Sequence, residues 1–227
     1  MTTQHHYIED NLRAIQTRIA QACHRVGRKE DEINLVAVTK FVDVHAARYL
    51  LKLGVTHLGE NRIEVAREKI EVLGSEATWH MIGNIQRRKV RNVIELFHAV
   101  DAVDRLSLAE SMERNCVEAN KTIPILLELN IAGEAAKHGF QPKELDGALK
   151  AIQHYEHLQV DGLLTMAPLG AEEKELRRIF HTLRTLADEY GLKTRSMGMT
   201  NDFEIAIEEG STQVRIGRAL YKVPSQE

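Results

Sequence analysis

The spacing of apolar residues changes character about thirty residues into the chain. Ile8, Leu12, Ile15 and Ile19 recur at intervals of four, three and four residues, which predicts an amphipathic helix within residues 1–30. Beyond that point the apolar and β-branched residues fall into short runs, which predict strands. The eight runs are residues 33–38, 56–59, 78–82, 97–100, 123–129, 160–164, 194–197 and 213–216.

Regular alternation of these runs with helical stretches predicts an α/β fold. The clearest helical spacing is at Leu176, Ile179, Phe180, Leu183 and Leu186. The runs are continuously apolar rather than alternating, which is typical of parallel strands covered on both faces. Eight such units most economically close into a (β/α)8 TIM barrel, so we expect one domain over residues 1–227 with an extra N-terminal helix at residues 1–30. An open doubly wound sheet is the alternative, but the Gly-x-Gly-x-x-Gly turn that it favours is absent from the sequence.

Composition and charge narrow the class of protein. The 227 residues include 30 Lys and Arg against 33 Asp and Glu, a net charge of −3, and 43% are hydrophobic. Nucleic-acid binding needs a basic excess that this chain lacks, and no apolar run reaches the roughly 18 residues of a membrane span. The N-terminal residues show no basic-then-apolar leader, so we expect a cytoplasmic protein without membrane or nucleic-acid partners. Cys23 and Cys116 are expected to be buried free thiols.

Candidate chemistry lies where the predicted strands end, because the functional residues of a TIM barrel gather at the carboxyl ends of its strands. The first strand ends near Lys40, where an amine withdrawn from water becomes a nucleophile that forms Schiff bases with aldehydes. A strand-end lysine also commonly extends its ammonium group into solvent, and position alone leaves both interpretations open. Asp101 and Asp104 follow the fourth run, where we expect them to cap the end of the strand, and a role as acid–base groups is the alternative.

The loops after the last two runs, residues 196–202 and 215–219, have the composition of an anion site. TIM barrels often hold phosphate at these loops. Gly198 and Gly217 let backbone amides approach an anion, and Thr200 adds a hydroxyl group. Ordinary turn chemistry explains either loop alone, whereas two such loops in the two expected places favour a phosphate site. A reactive lysine beside a phosphate site indicates a phosphorylated aldehyde, either pyridoxal 5′-phosphate or a sugar phosphate. The histidines and cysteines lack the spacing of metal ligands, so we expect no metal site.

Seven segments of the sequence, in unbroken order, together resemble the pyridoxal phosphate homeostasis protein family, the single-domain relatives of the alanine racemase barrel. The segments are VAVTK (36–40), HLGEN (57–61), WHMIGNIQ (79–86), NIAGEAAKHG (130–139), GLLTMA (162–167), SMGMTND (196–202) and VRIG (214–217). The resemblance runs from about Ile8 to Ile216. The segment SMGMTND is the most specific of them.

The resemblance implies a fold-type III barrel that binds pyridoxal phosphate through a Schiff base on Lys40. It assigns the phosphate to Thr200 and Asn201, with Gly217 and Arg218 across from them. It places Arg215 opposite the pyridine nitrogen, where a second cation is unfavourable and the ring nitrogen therefore stays unprotonated. The remaining residues that it implies for the cofactor pocket are Asn61, His80 and Met197.

The implied function is the holding and release of pyridoxal phosphate for vitamin B6 and amino-acid homeostasis, without catalysis and with apoenzymes as candidate recipients. An amino-acid racemase is the alternative, and a sugar-phosphate aldolase is a third hypothesis. In the related racemases a tyrosine from an added domain of the partner subunit supplies a second acid–base group. The chain ends soon after Ile216, so we expect neither that domain nor its dimer, but a monomer. The five tyrosines fall in predicted helices, away from the strand ends: Tyr7, Tyr49, Tyr155, Tyr190 and Tyr221.

The sequence departs from the family pattern immediately after Lys40. The family often has a second lysine and a proline there, whereas this chain has Phe41, Val42 and Asp43. Any transfer of the cofactor that uses a neighbouring lysine is therefore in doubt. The serine that usually follows Met-Gly-Met is Thr200, which keeps the hydroxyl group.

Overall fold

Eight parallel strands close into a barrel in chain order, with the last strand paired to the first. The computed structural model describes residues 6–134 and 138–223. The strands are β1 (Asn34–Val38), β2 (His57–Glu60), β3 (Thr78–Met81), β4 (Ala99–Val103), β5 (Ile123–Leu129), β6 (Leu158–Thr165), β7 (Thr194–Ser196) and β8 (Gln213–Ile216). The barrel closes where Leu35 of β1 pairs with Val214 of β8. The TIM barrel predicted from the sequence is confirmed.

Helices form the outer layer of the barrel. They are α1 (His6–Arg25), α2 (Val44–Lys52), α3 (Ile63–Leu73), α4 (Val90–Leu96), α5 (Leu106–Ala119), α6 (Leu145–Ile152), α7 (Glu173–Glu189) and α8 (Phe203–Glu208). Each of α2 to α8 follows one of the strands β1 to β7, whereas in the described residues β8 is followed only by a short 3-10 turn, Arg218–Tyr221. Helix α1 packs against α8, this turn and α2. The helix predicted as an addition to the barrel therefore completes its outer ring, and it ends at Arg25 rather than at residue 30.

Both apolar and polar contacts hold α1 against the barrel. Its buried face has the spacing that predicted the helix: Ile8, Leu12, Ile15, Ile19 and Cys23. Asn11 Nδ2 donates a hydrogen bond to the carbonyl oxygen of Leu220 at 3.1 Å. Arg18 pairs with Glu204 of α8 at 2.6 Å, and its guanidinium carbon lies 4.5 Å from the centroid of the Phe203 ring. These contacts connect the start of the described chain to the elements at its end.

The pairing between β5 and β6 is irregular at one position. Asp161 is an extra residue in β6, inserted between the residues that pair with Ile125 and Leu126. The next residue is Gly162, and a Cβ atom at this position would lie 1.9 Å from the carbonyl oxygen of Thr194. Only glycine therefore allows β6 and β7 to approach each other here.

Cys23 on α1 and Cys116 on α5 are buried free thiols, as the sequence predicted. Burial raises the pKa of the Cys116 thiol to about 11, because the low-dielectric interior disfavours the thiolate. None of the helices in the described ranges is both long enough and apolar enough to cross a membrane.

Candidate functional site

A cavity of about 860 Å³ opens at the carboxyl ends of the barrel strands, a volume within the range of small-molecule sites. Its wall includes seven of the predicted site residues: Lys40, Asn61, Thr200, Asn201, Arg215, Gly217 and Arg218. They come from the segments that follow β1, β2 and β7, from β8 itself and from the turn after β8. Strand ends that are distant in sequence thus meet at one cavity, as the barrel prediction requires.

A buried polar cluster outside the cavity fixes the backbone that leads into Lys40. Thr39 Oγ1 donates to Glu60 Oε1 at 2.6 Å. Lys69 Nζ, on α3, donates to the same carboxylate oxygen at 2.5 Å and to the Thr39 carbonyl oxygen at 2.6 Å. Thr39 and Glu60 are fully buried. Lys40 is only half-buried, and its Nζ lies 4.9 Å from the centroid of the exposed Phe41 ring.

The loop between β7 and α8 turns sharply at the cavity wall. Gly198 has φ +97°, which is the left-handed region that glycine adopts without strain. Asp202 Oδ1 then accepts a hydrogen bond from the Met199 amide at 2.6 Å and closes the turn. Thr200 and Asn201, between these two residues, are on the cavity wall. The predicted phosphate loop therefore faces the same space as Lys40.

The amide oxygen of Asn61 is a buried polar atom with an unused acceptor. Oδ1 has no hydrogen-bond partner among the described residues, although Asn61 lies on the cavity wall. Gly83, after β3, comes so close that a Cβ atom there would lie 2.7 Å from the Asn61 carbonyl oxygen. A buried oxygen without a donor costs roughly 1–3 kcal/mol, so this position suits a ligand that brings a donor.

Arg215 is the buried cation of the cavity and is only 5% exposed. Its Nη1 donates to Ser196 Oγ at 2.6 Å, and its Nη2 donates to the Thr165 carbonyl oxygen at 3.0 Å. Burial lowers the pKa of the guanidinium group, although an arginine side chain remains charged in a protein. The nearby carboxylates that counteract the lowering of this pKa are Asp101, Glu128 and Asp202.

His80 and Met197, two further predicted pocket residues, are buried and are not on the described part of the cavity wall. Met197 belongs to the hydrophobic core. His80 Nδ1 lies 3.0 Å from Asp101 Oδ1, and its Nε2 lies 2.9 Å from His57 Nδ1. The prediction that Asp101 caps a strand end is wrong, because β4 continues to Val103 and Asp101 accepts a hydrogen bond from His80 inside the barrel.

Four polar residues of the cavity wall were not among the predicted site residues: Asn84, Glu128, His138 and Asp202. Glu128 gave a signal, since it is the single charged residue in the apolar run of β5. Asn84 Nδ2 donates to Asp104 Oδ2 at 2.9 Å, and His138 Nδ1 lies 3.4 Å from the same oxygen. Asp104 directly follows β4 and also pairs with Arg105. Residues 135–137 of the NIAGEAAKHG segment lie outside the described residues.

The described residues contain no group of three or more His, Cys, Asp or Glu side chains that could hold a metal ion. No tyrosine is on the described cavity wall. Tyr155 and Tyr190 were expected in helices, but both lie just beyond one, since α6 ends at Ile152 and α7 ends at Glu189. Tyr155 and Tyr190 instead line a separate cavity of about 440 Å³ beside α6.

Comparison with known proteins gives relatives that span nearly the whole chain. The family model for the alanine racemase N-terminal domain matches residues 8–224. The pyridoxal phosphate homeostasis protein of Escherichia coli K12 is 35% identical over 94% of this chain and 95% of its own length. The protein of the same name from Aquifex aeolicus is 33% identical over 93% of this chain and 96% of its own length.

Solved structures agree with this relationship. Synechococcus elongatus PipY, solved with PLP bound, is 30% identical, with a TM-score of 0.79 over 90% of this chain and all of that one. Clostridium difficile alanine racemase is 17% identical, with a TM-score of 0.74 over 96% of this chain and 58% of that one, and shares the fold alone. From its family model and its relatives, the chain belongs to the pyridoxal phosphate homeostasis protein family, built on the alanine racemase N-terminal domain.

Proposed function

We propose that this protein binds pyridoxal 5′-phosphate in the cavity at the carboxyl ends of the strands, holds it covalently on Lys40, and takes part in vitamin B6 and amino-acid homeostasis as a carrier. One observation carries the proposal: the lysine after β1, the loop after β7 and the buried arginine of β8 converge on one cavity wall. The family relationship supports the choice of pyridoxal phosphate over a sugar phosphate.

The residues present fit the cofactor in chemistry and in space. A phosphate needs amide donors, a hydroxyl group and a cation, which the loops with Thr200, Asn201, Gly217 and Arg218 would supply. A phenolic hydroxyl group would give the buried Oδ1 of Asn61 the donor that it lacks among the described residues. When bound, the cofactor supplies an aldehyde and an electron-withdrawing ring.

Lys40 would provide the covalent attachment. Its amine would condense with the aldehyde that the cofactor supplies, with a C=N bond formed and the aldehyde oxygen lost as water. The cluster of Thr39, Glu60 and Lys69 holds the adjoining backbone, so the side chain starts from a fixed position. Its partial exposure gives water and competing amines access to the bond, which suits release as well as capture.

Arg215 would make the bound cofactor a weaker electron sink, which suits storage or racemisation better than transamination. A guanidinium group keeps its protons, so it donates a hydrogen bond to a ring nitrogen without protonating it. An unprotonated ring is a weaker electron sink, because it carries no positive charge to stabilise electrons drawn from a substrate. Ser196 and the Thr165 carbonyl group hold Arg215 in place.

We extend the proposal to the partners and the place of action. Apoenzymes that require pyridoxal phosphate would receive it from this protein. The protein would act as a monomer in the cytoplasm. The rim of the cavity supports contact with another protein, since large apolar side chains are exposed there. These side chains are Phe41, Met166, Leu169 and Met199.

The decisive experiment is the absorption spectrum of the purified protein loaded with pyridoxal phosphate, compared with Lys40→Ala. We expect a visible band in the wild type that borohydride removes, with the reduced cofactor recovered by mass spectrometry on the peptide that contains Lys40. The variant should lack the band. Lys52→Ala, at an exposed lysine of α2, is the matched control and should behave as the wild type.

Two outcomes would change the proposal. A wild type that stays colourless after addition of pyridoxal phosphate would overturn it and direct attention to sugar phosphates. A coloured wild type that interconverts L- and D-alanine at a rate lost in Lys40→Ala would replace the carrier by a racemase. A coloured wild type without that activity supports the carrier.

A further inference from the structure

A chain of buried polar side chains crosses the barrel interior from Arg215 to its opposite end. Ser196 Oγ accepts hydrogen bonds from Arg215 Nη1 at 2.6 Å and from Gln213 Nε2 at 3.0 Å. Gln213 Nε2 also donates to Asp101 Oδ2 at 2.8 Å. Asp101 accepts from His80 Nδ1 at 3.0 Å. The chain continues from His80 Nε2 to His57 Nδ1, which lies at 2.9 Å.

Burial makes these contacts costly unless each polar group is satisfied. Ser196, Asp101, Gln213 and His80 are each no more than 6% exposed. TIM-barrel interiors are normally filled by branched apolar side chains. Replacing a buried polar network by apolar residues is often neutral or stabilising, so stability alone is a weak explanation for this one.

The donors and acceptors along these side chains determine where the hydrogens lie. Asp101 accepts hydrogen bonds from both Gln213 and His80, so His80 carries a hydrogen on Nδ1. In the neutral ring His80 Nε2 is then an acceptor, and His57 Nδ1 donates the hydrogen bond between the two rings. When His57 takes up a proton, the hydrogen of this contact can move to His80 Nε2, which places a positive charge beside Asp101.

The end of this side-chain network that is farthest from Arg215 is accessible to solvent. His57, at the start of β2, is half-buried and lines a cavity of about 480 Å³ at the amino ends of the strands, together with Glu30, Asp31 and Asn34. Asn34 Nδ2 also donates to Gln213 Oε1 at 3.2 Å. Protons can thus reach the histidine pair from the end of the barrel opposite the proposed cofactor site.

We propose that Ser196, Gln213 and Asp101 are positioning residues for Arg215, and that they couple protonation of His57, relayed through its contact with His80, to the hydrogen bonding of the Arg215 guanidinium group. The physical reason is that Asp101 accepts hydrogen bonds from two branches of this network. It bonds directly to His80, and through Gln213 and Ser196 it supports Arg215. A proton on the histidine pair draws the carboxylate toward His80 and weakens its hold on the other branch.

The charges around His57 determine when it takes up a proton. Burial lowers the pKa of His57, and His80 lowers it further, whereas Asp101 raises it. The other charged or titratable groups that face the chain are Glu30 and Asp31 at the amino end, His98 and Lys121 beside β4, and Glu128 and Asp202 near Arg215. The purpose of this coupling rests on the proposed function, in which Arg215 would face the pyridine nitrogen of the cofactor.

The experiment follows the side-chain N–H signals of Arg215 and the ring signals of the histidines by NMR in the cofactor-free protein, from about pH 5 to about pH 8. We expect the Arg215 signals to shift with the apparent pKa of His57. Ser196→Ala should abolish this shift and Ser196→Thr, which keeps the hydroxyl group, should restore it. His57→Gln, at a half-buried position, should abolish it without disturbing the fold.

Thermal unfolding of each variant shows that it is folded. Arg215 signals that do not respond to pH in the folded wild type would overturn the inference, as would an unchanged response in Ser196→Ala or His57→Gln. Because the measurement uses no cofactor, its failure leaves the proposed function standing. Failure of pyridoxal phosphate to bind would in turn leave the coupling in the barrel intact but remove its purpose.

Discussion

Gly198 is the residue on which the shape of the proposed phosphate loop depends most. Its φ of +97° is unfavourable for other residues, and a Cβ atom there would lie 2.7 Å from the Cβ of Ala206 and 2.8 Å from the Cα of Phe203. Gly198→Ala therefore combines backbone strain with a collision, and we expect a loss of about 2–4 kcal/mol in the free energy of unfolding. Pyridoxal phosphate affinity should fall as well, because the loop must move. Urea unfolding and a titration with the cofactor measure the two effects.

Gly147 provides the control for this substitution. It lies in α6, its φ is not in the left-handed region, and nothing is within 4 Å of a Cβ built there. Gly147→Ala should stabilise the protein by roughly 0.5–1 kcal/mol, since alanine favours a helix. Equal effects of the two substitutions would contradict the role given to Gly198.

Lys69 and Glu60 form a buried ion pair, with side chains 5% and 0% exposed. Lys69→Met leaves the Glu60 carboxylate buried without its cation, and we expect a loss of about 3–5 kcal/mol in unfolding free energy. The double variant Lys69→Met with Glu60→Gln should recover part of that loss, because no charge remains to be desolvated. Lys89→Met removes the exposed pair with Glu64 and should cost no more than about 1 kcal/mol. A loss of unfolding free energy in Lys69→Met as small as that in Lys89→Met would contradict this account.

At the scale of elements, α1 contributes a face of the core although it lies outside the strand–helix repeat. Ile15 is 2% exposed in the contact between α1 and the barrel. Ile15→Ala should cost about 2–5 kcal/mol, because it leaves a cavity between α1 and its neighbours. Arg13→Ala, at an exposed residue of the same helix paired with Glu9, should change stability by no more than about 0.5 kcal/mol. If the two substitutions had equal effects in urea unfolding, α1 would not be an integral part of the barrel.

Most elements could be predicted because their signals are local. The runs at 123–129 and 213–216 are the observed β5 and β8, since continuous apolar residues mark strands covered on both faces. The end of β4 could not be predicted in this way. Asp101 lies within that strand. From the neighbouring sequence alone, a carboxylate after an apolar run predicts the end of the strand unless its hydrogen-bond partners are known. Those partners, His80 and Gln213, are distant in sequence.

The residues of the candidate site differ in the same way in how far the sequence could predict them. Lys40, Thr200 and Gly217 were predicted from motifs at strand ends, where the fold class alone says that they meet. Whether a side chain faces the cavity or the interior below it depends on strand register and tilt. His80, the third residue of β3, is therefore found in contact with Asp101 and His57 rather than on the described cavity wall.

At the scale of the whole molecule, two histidines near the amino ends of the strands make stability depend on pH. Burial lowers the pKa of His57 and of His98, and a neighbouring histidine or lysine adds to each effect. The Trp79 amide donates to His98 Nδ1 at 3.0 Å, a bond that requires this nitrogen to be unprotonated. The folded protein therefore resists protons that the unfolded chain accepts below its ordinary histidine pKa of about 6.5.

The sign of the effect follows from this difference in proton binding. Because the unfolded state binds more protons as pH falls through about 6.5, the free energy of unfolding decreases there and levels off only below the folded-state pKa values. We expect urea unfolding to give a lower free energy at about pH 5.5 than at about pH 7.5. His57→Gln and His98→Gln should each reduce the difference, whereas His24→Gln, at an exposed residue of α1, should not. An equal reduction in all three variants would assign the effect to charge alone.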